Sequence, residues 1–261
     1  MDVISWFSYS IPKAGNKDDE NEDAVFPAVG IGLNGHQDLS TFIVADGATQ
    51  TSFSALWANY LVQNCSQSNL SEFNFYRALS RAQKDWDKSV QDKNLPWHAI
   101  EKVKQGAYAA MTWVEIQHFP LHPAYSFTWR ALSIGDCCLF IARNKSIFLS
   151  LPLQHHTEFN NTPVLIPSRS EKIDSIKGKV QTARGSLVMG DKLILASDAI
   201  SSWIMRNSQS DQLEFVKMVK EIKNAKNISG FTNWINGLRK RGDLKNDDTS
   251  LILIELGQGG A

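Results

Sequence analysis

Cysteine is scarce in this sequence, with three among 261 residues, at positions 65, 137 and 138. Cys137 and Cys138 are adjacent in an apolar run and lack the spacing of metal ligands. All three read as small buried hydrophobes of a reducing compartment. An excess of one charge is also missing: Lys+Arg and Asp+Glu are both 27. The basic surplus of a nucleic-acid binder is therefore absent, although a local anion site remains allowed. No stretch approaches the ~18 apolar residues of a membrane span. The first residues, MDVISWFSYS, show no basic segment followed by an apolar one. The expectation is a cytoplasmic chain with neither membrane nor nucleic acid as partner. No repeat, low-complexity tract or Pro/Gly/Ser linker divides it, which predicts one domain over residues 1–261, long enough to bury a large core. No heptad pattern marks an oligomer, so a monomer is the default.

What is present is a series of short apolar runs rich in β-branched and aromatic residues, which read as strands. They are Ala24–Val29, Thr41–Ala45, Phe127–Ile134, Cys138–Ala142, Ser146–Leu151, Lys192–Ala196 and Thr249–Leu256. Several are apolar at nearly every position, so both faces should be covered. Helical spacing falls between them, with Phe53, Leu56, Trp57, Tyr60 and Leu61 on one face. It recurs over residues 71–91, 98–111 (running into a strand), 210–223 and 230–241. Trp57, Trp86 and Trp234 lie on apolar helix faces and read as core. Residues 152–186 carry few periodic signals and read as a long surface excursion. Within it, Leu153–Pro167 is expected to form a flap beside a cleft, with His155 and His156 on the surface. Arg239–Lys240–Arg241 reads as a basic run that answers a helix dipole and solvent.

The acids fall in a telling place. Asp46, Asp136 and Asp198 each follow an apolar run, and Glu22–Asp23 and Asp247 each precede one. In antiparallel neighbours, a strand ending at an acid and a strand beginning at one bring both acids to the same sheet edge. Each acid alone reads as a turn residue, but together they form a cluster. Carboxylates so gathered raise one another's pKa, and divalent cations remove that cost. An all-oxygen donor set suits Mg²⁺ or Mn²⁺ and not zinc. Two such ions can activate water and clamp a phosphoryl group.

The order of these motifs resembles the type 2C (PPM) metal-dependent Ser/Thr protein phosphatases along nearly the whole chain. Asn21-Glu22-Asp23-Ala24, Val44-Ala45-Asp46-Gly47-Ala48, Ser133-Ile134-Gly135-Asp136, Ala196-Ser197-Asp198-Ala199 and Asn246-Asp247-Asp248-Thr249-Ser250 carry the resemblance. It implies an α+β fold, a four-layer α-β-β-α sandwich of two antiparallel sheets flanked by helices. It implies two Mg²⁺ or Mn²⁺ ions, with a weaker third in some members. Asp46 would bridge the two ions, with the Gly47 carbonyl on the second, and Asp198 and Asp247 would hold the first. Glu22 and Asp23 would act through bound water, and Asp136 with Asp198 would form the third site. A hydroxide bridging the ions would attack a phospho-Ser/Thr protein substrate, with Asp46 and Asp198 essential. Departures are also visible. Ala48-Thr49-Gln50 follows Asp-Gly, no His stands where some members place a general acid, and Ala199 replaces Gly. The phosphate-binding Arg has no match; Lys13 is the preferred substitute and Lys17 the other. A phosphatase fold kept for binding alone, and a small-molecule phosphatase, stay open as alternatives.

Overall fold

A computed structural model of the chain describes residues 2–29, 39–51, 53–91, 97–118, 127–160, 162–208, 212–225 and 227–258. Its strands are β1 (Asp2–Ile11), β2 (Asp23–Val29), β3 (Leu39–Gly47), β4 (Tyr108–His118), β5 (Phe127–Ile134), β6 (Cys138–Arg143), β7 (Ser146–Leu151), β8 (Ile166–Pro167), β9 (Gln181–Leu187), β10 (Lys192–Ala196) and β11 (Thr249–Gln258). Its α-helices are α1 (Ser54–Ser66), α2 (Glu72–Gln91), α3 (Trp97–Gln105), α4 (Asp198–Ser208), α5 (Gln212–Asn224) and α6 (Ile228–Lys240). One sheet runs β1-β11-β10-β6-β7 and the other β2-β3-β4-β5-β9, with β8 paired to β4. All pairings are antiparallel.

Apolar runs with two buried faces explain the layering. In β3, Phe42 and Val44 turn toward the other sheet, while Ile43 and Ala45 turn toward α1 and α2. In β11, Ile252 and Ile254 pack between the sheets, and Leu251 and Leu253 pack under α4, α5 and α6. The period of two thus sends alternate residues into different cores. Three cores result, one between the sheets and one beneath each helical layer. This is the four-layer α-β-β-α sandwich. Trp57 and Trp86 are fully buried, Trp234 is half-buried against the second helical core, and all three cysteines are free and buried.

Three elements differ from expectation. Strand β1 carries no isolated apolar run, yet it pairs with β11 along its whole length. Residues 152–186 are not simply a surface excursion: they hold β8, two 3-10 turns and edge strand β9. Only Leu187 of β9 is fully buried, so an edge strand of this kind leaves little hydrophobic trace. Helix α4 starts at Asp198, with Ile200, Trp203 and Ile204 buried at helical spacing. Among the described residues, no helix is long and apolar enough to cross a membrane.

Candidate active site

Register brings the first two acids together. Strands β2 and β3 pair so that Asp23 lies directly opposite Asp46. Like charges in that position repel. Gly47, the last residue of β3, follows Asp46 and is packed tightly: a Cβ there would meet the Glu22 carbonyl oxygen and the Ser54 backbone at 2.8 Å. The Gly47 N–H donates to the Glu22 carbonyl at 3.1 Å, and the Ser54 hydroxyl donates to Glu22 Oε1. Gly135, with φ at +92°, makes the turn from β5 into β6 and brings Asp136 to the same end. Asp198 comes from the other sheet, as the first residue of α4 just past β10, and its N–H reaches Asp46 Oδ2 at 3.5 Å. Asp247 arrives on the turn before β11.

Asp46, Gly47, Asp136, Asp198 and Asp247 therefore line one cleft of about 430 Å³. Asn160, Pro163 and Leu165 form part of its wall, as a flap over Leu153–Pro167 requires. His155 and His156 are exposed and outside it. Asp23 lies deeper and is buried, and neither of its carboxylate oxygens has a hydrogen-bond partner. The Ser250 and Ser197 hydroxyls are near enough to soften its charge without bonding to it.

The electrostatics follow from this crowding. Burial, with Asp248 and Asp198 nearby, pushes Asp23 up to about 8. Burial and the charges of Asp23, Asp198, Asp136 and Asp247 raise Asp46 well above the usual carboxylate range. Asp136 is pushed up to about 7, by burial first and then by Asp198. Burial also raises Asp198, against the opposing pull of Lys245. Lys245 is the cation lining the cleft, with Nζ 2.5 Å from Asp247 Oδ2 and 3.6 Å from Asp198 Oδ2. Burial would lower its pKa, but the Asp247 bond and the charges of Asp198, Asp247 and Asp46 outweigh that and raise it.

Lys13 sits elsewhere. Its Nζ is 3.7 Å from Glu22 Oε2, and it lines a neighbouring cavity beside α6. Lys17 is exposed and its backbone N–H bonds Glu20. Sequence reading missed three residues here. Asp248 is buried and accepts from the Lys13 and Glu22 backbone N–H groups at 2.8 and 2.9 Å, tying both loops to β11. Lys245 gave no local signal. Arg239 is not a solvated charge: its guanidinium donates to the Pro12 carbonyl at 3.2 Å, to the Asp247 carbonyl and to Thr249 Oγ1. Its burial against an apolar helix face could have been read from the i, i+4 spacing to Ile235.

Among the described residues, no three His, Cys, Asp or Glu side chains are already arranged to hold a metal ion. The donor chemistry nevertheless fits a hard divalent cation: every group is an oxygen, and the buried Asp23 oxygens lack any partner. Cysteine chemistry does not fit. Burial pushes the Cys65 thiol up to about 12 and raises Cys137 and Cys138 strongly as well.

The whole-chain architecture matches known structures. The serine/threonine phosphatase PstP of Mycobacterium tuberculosis superposes with a TM-score of 0.61 at 11% identity, covering 98% of this chain and 100% of that one. A structure of the PP2C phosphatase domain and a fragment of the regulatory domain of SpoIIE from Bacillus subtilis gives 0.54 at 13% identity, covering 100% of this chain and 65% of that one. This chain has the PP2C phosphatase fold. A structure of the PstP catalytic domain in complex with 2 manganese ions matches with a TM-score of 0.58 at 11% identity, covering 99% and 100%. No protein-family model and no curated protein matches the sequence.

Proposed function

We propose that the chain is a metal-dependent phosphomonoester hydrolase of the PP2C type, acting on phospho-Ser/Thr proteins. One observation carries this reading. Asp23, Asp46, Asp136 and Asp198 are held at one end of both sheets, with Asp247 beside them, and burial and mutual repulsion raise the pKa values of those four. A fold keeps such a cluster at a cost that divalent cations would remove. That PstP has been seen with 2 manganese ions in the same fold supports Mn²⁺ or Mg²⁺ here.

Asp46, the Gly47 carbonyl, Asp198 and Asp247 would hold the cations, and Asp136 with Asp198 a weaker third. Bound there, hard divalent cations supply Lewis acidity toward phosphoryl oxygens and toward water. The chain's own residues do the rest. Asp23 stands directly opposite Asp46, with both of its oxygens unpartnered. Glu22 is fixed by Ser54 and Lys13, and Asp248 locks the loops that carry them. Lys245 has a side chain 67% exposed and stands where a phosphate would enter. Its ammonium can take phosphoryl oxygens as a point charge, the task for which the sequence alone suggested Lys13. The polar wall of Thr49, Gln50 and Asn160 suits a side chain presented by a polypeptide.

A phosphothreonine peptide and p-nitrophenyl phosphate, incubated with wild type and Asp198→Asn in Mn²⁺ or EDTA, test the reading. Release of phosphate from the peptide, requiring metal and lost in the variant, is expected. Turnover of the small ester alone would redirect the assignment to a small-molecule phosphatase. A folded wild type inert toward both would overturn hydrolysis and leave a binding role.

A further inference from the structure

The far end of the β2-β3-β4-β5-β9 sheet carries a further cavity, of about 490 Å³. On the helix-facing side of this sheet, Ile43, Trp113 and Leu132 are buried under α1 and α2. Two residues further along each strand the chemistry changes. Register aligns Thr41, Glu115, Arg130 and Arg184 in one row across β3, β4, β5 and β9. The next row on the same face is Leu39, Gln117, Thr128 and Ser186. The cavity lies over these two rows.

Charge does not balance there. Glu115 is 1% exposed, and its oxygens are already taken by the Leu70 N–H at 2.6 Å and by Arg130 at 2.6–2.7 Å. Arg184 stands directly opposite Arg130 on the neighbouring strand. Like charges so placed repel, and Arg184 is exposed, with no hydrogen bond or ion pair among the described residues. The Thr128 and Ser186 hydroxyls and the Gln117 amide are likewise uncommitted. Among the described residues, two guanidinium groups and one spent carboxylate leave one positive charge in a recess edged by hydroxyls.

We infer that Arg184 and Arg130, with Thr128 and Ser186, form a binding site for the oxyanion group of a small molecule, a phosphate or a carboxylate. The free fork of Arg184 matches such a group with paired hydrogen bonds, while Arg130, whose Nε and Nη2 are held by Glu115, adds charge beside it. The cavity's size is that of small-ligand sites. Thr41 and Asp46 are five positions apart on β3, which places this recess roughly 17 Å from the acid cleft. The two sites share strands and not residues, so this inference stands apart from the phosphatase reading.

The probes are inorganic phosphate and acetate, added to the full chain in EDTA at 0.15 M salt, where non-specific attraction is screened. The side-chain Nε–H signals of the arginines are followed by NMR, with Arg184 assigned through Arg184→Gln. A saturable shift of the Arg184 signal, absent from Arg77 on α2, is expected. The remaining arginine signal of the pair, Arg130, should need at least tenfold more ligand in Arg184→Gln. The melting temperature should not fall, since Arg184 holds nothing and its loss relieves the repulsion with Arg130. Saturation by phosphate alone assigns a phosphoryl ligand, and by acetate alone a carboxylate; either supports the site. Shifts that rise linearly, or that Arg77 shares, would overturn it.

Discussion

Replacing Asp23 by Asn isolates the strain that the carboxylate cluster places on the fold. Asp23 has a usual value of 3.8 and is pushed up to about 8 in the folded chain. A raised carboxylate pKa destabilises the fold where the unfolded chain would ionise and the folded chain resists. The penalty is absent below pH 3.8, grows between 3.8 and about 8, and is complete above. Its slope is about 1.4 kcal/mol per pH unit, which reaches about 4 kcal/mol at pH 7. That figure is a ceiling, because Asp46 and Asp198 compete for the same protons. Asn cannot ionise, and it buries an amide about as poorly partnered as the protonated acid. Asp23→Asn should therefore match wild type in stability near pH 4 and exceed it increasingly toward pH 8. Urea unfolding in EDTA across that range measures the difference directly. A difference that stays constant with pH, or that favours wild type at pH 8, would refute the electrostatic reasoning.

Other expectations are more local. Gly135→Ala puts a Cβ 2.5 Å from that of Ala110 at a φ of +92°, and should destabilise the chain by about 1–3 kcal/mol in urea unfolding. Arg239→Met leaves the Pro12 and Asp247 carbonyls without their donor, and should cost about 1–3 kcal/mol in the same assay. Lys245→Met should raise KM for p-nitrophenyl phosphate severalfold while changing kcat less, the mark of a group that binds the phosphate before and during reaction. An unchanged KM would remove Lys245 from substrate binding.

The gathering of the acids at one end of the sheets was legible in the sequence, and the reasons are physical. An acid at the end of a fully apolar strand is conspicuous, and antiparallel pairing converts that position into proximity. Asp23 opposite Asp46 is that inference realised as register. Asp136 joins them through the tight turn after β5, and Asp198 as the first residue of α4, one residue past β10. Strand β9 escaped notice because an edge strand with one buried residue looks like a loop. Strand β1 mixes serines with aromatics, and its pairing with β11 spans most of the chain, so no local pattern reveals it. Asp247 and Asp248 are neighbours of identical chemistry. Only the fold separates them, turning one toward the cleft and the other toward the Lys13 and Glu22 backbone. The position of Lys245 likewise depends on the turn before β11, which sequence spacing does not encode.

The central claim is that these carboxylates are gathered to hold cations that act on a phosphate ester. Titrating Mn²⁺ into EDTA-stripped, dialysed protein while following p-nitrophenyl phosphate hydrolysis tests it most directly, with Asp46→Asn beside wild type. The account predicts a rate that rises with Mn²⁺ to saturation in wild type and stays at background in the variant. A rate independent of Mn²⁺, or one that Asp46→Asn leaves intact, would contradict it.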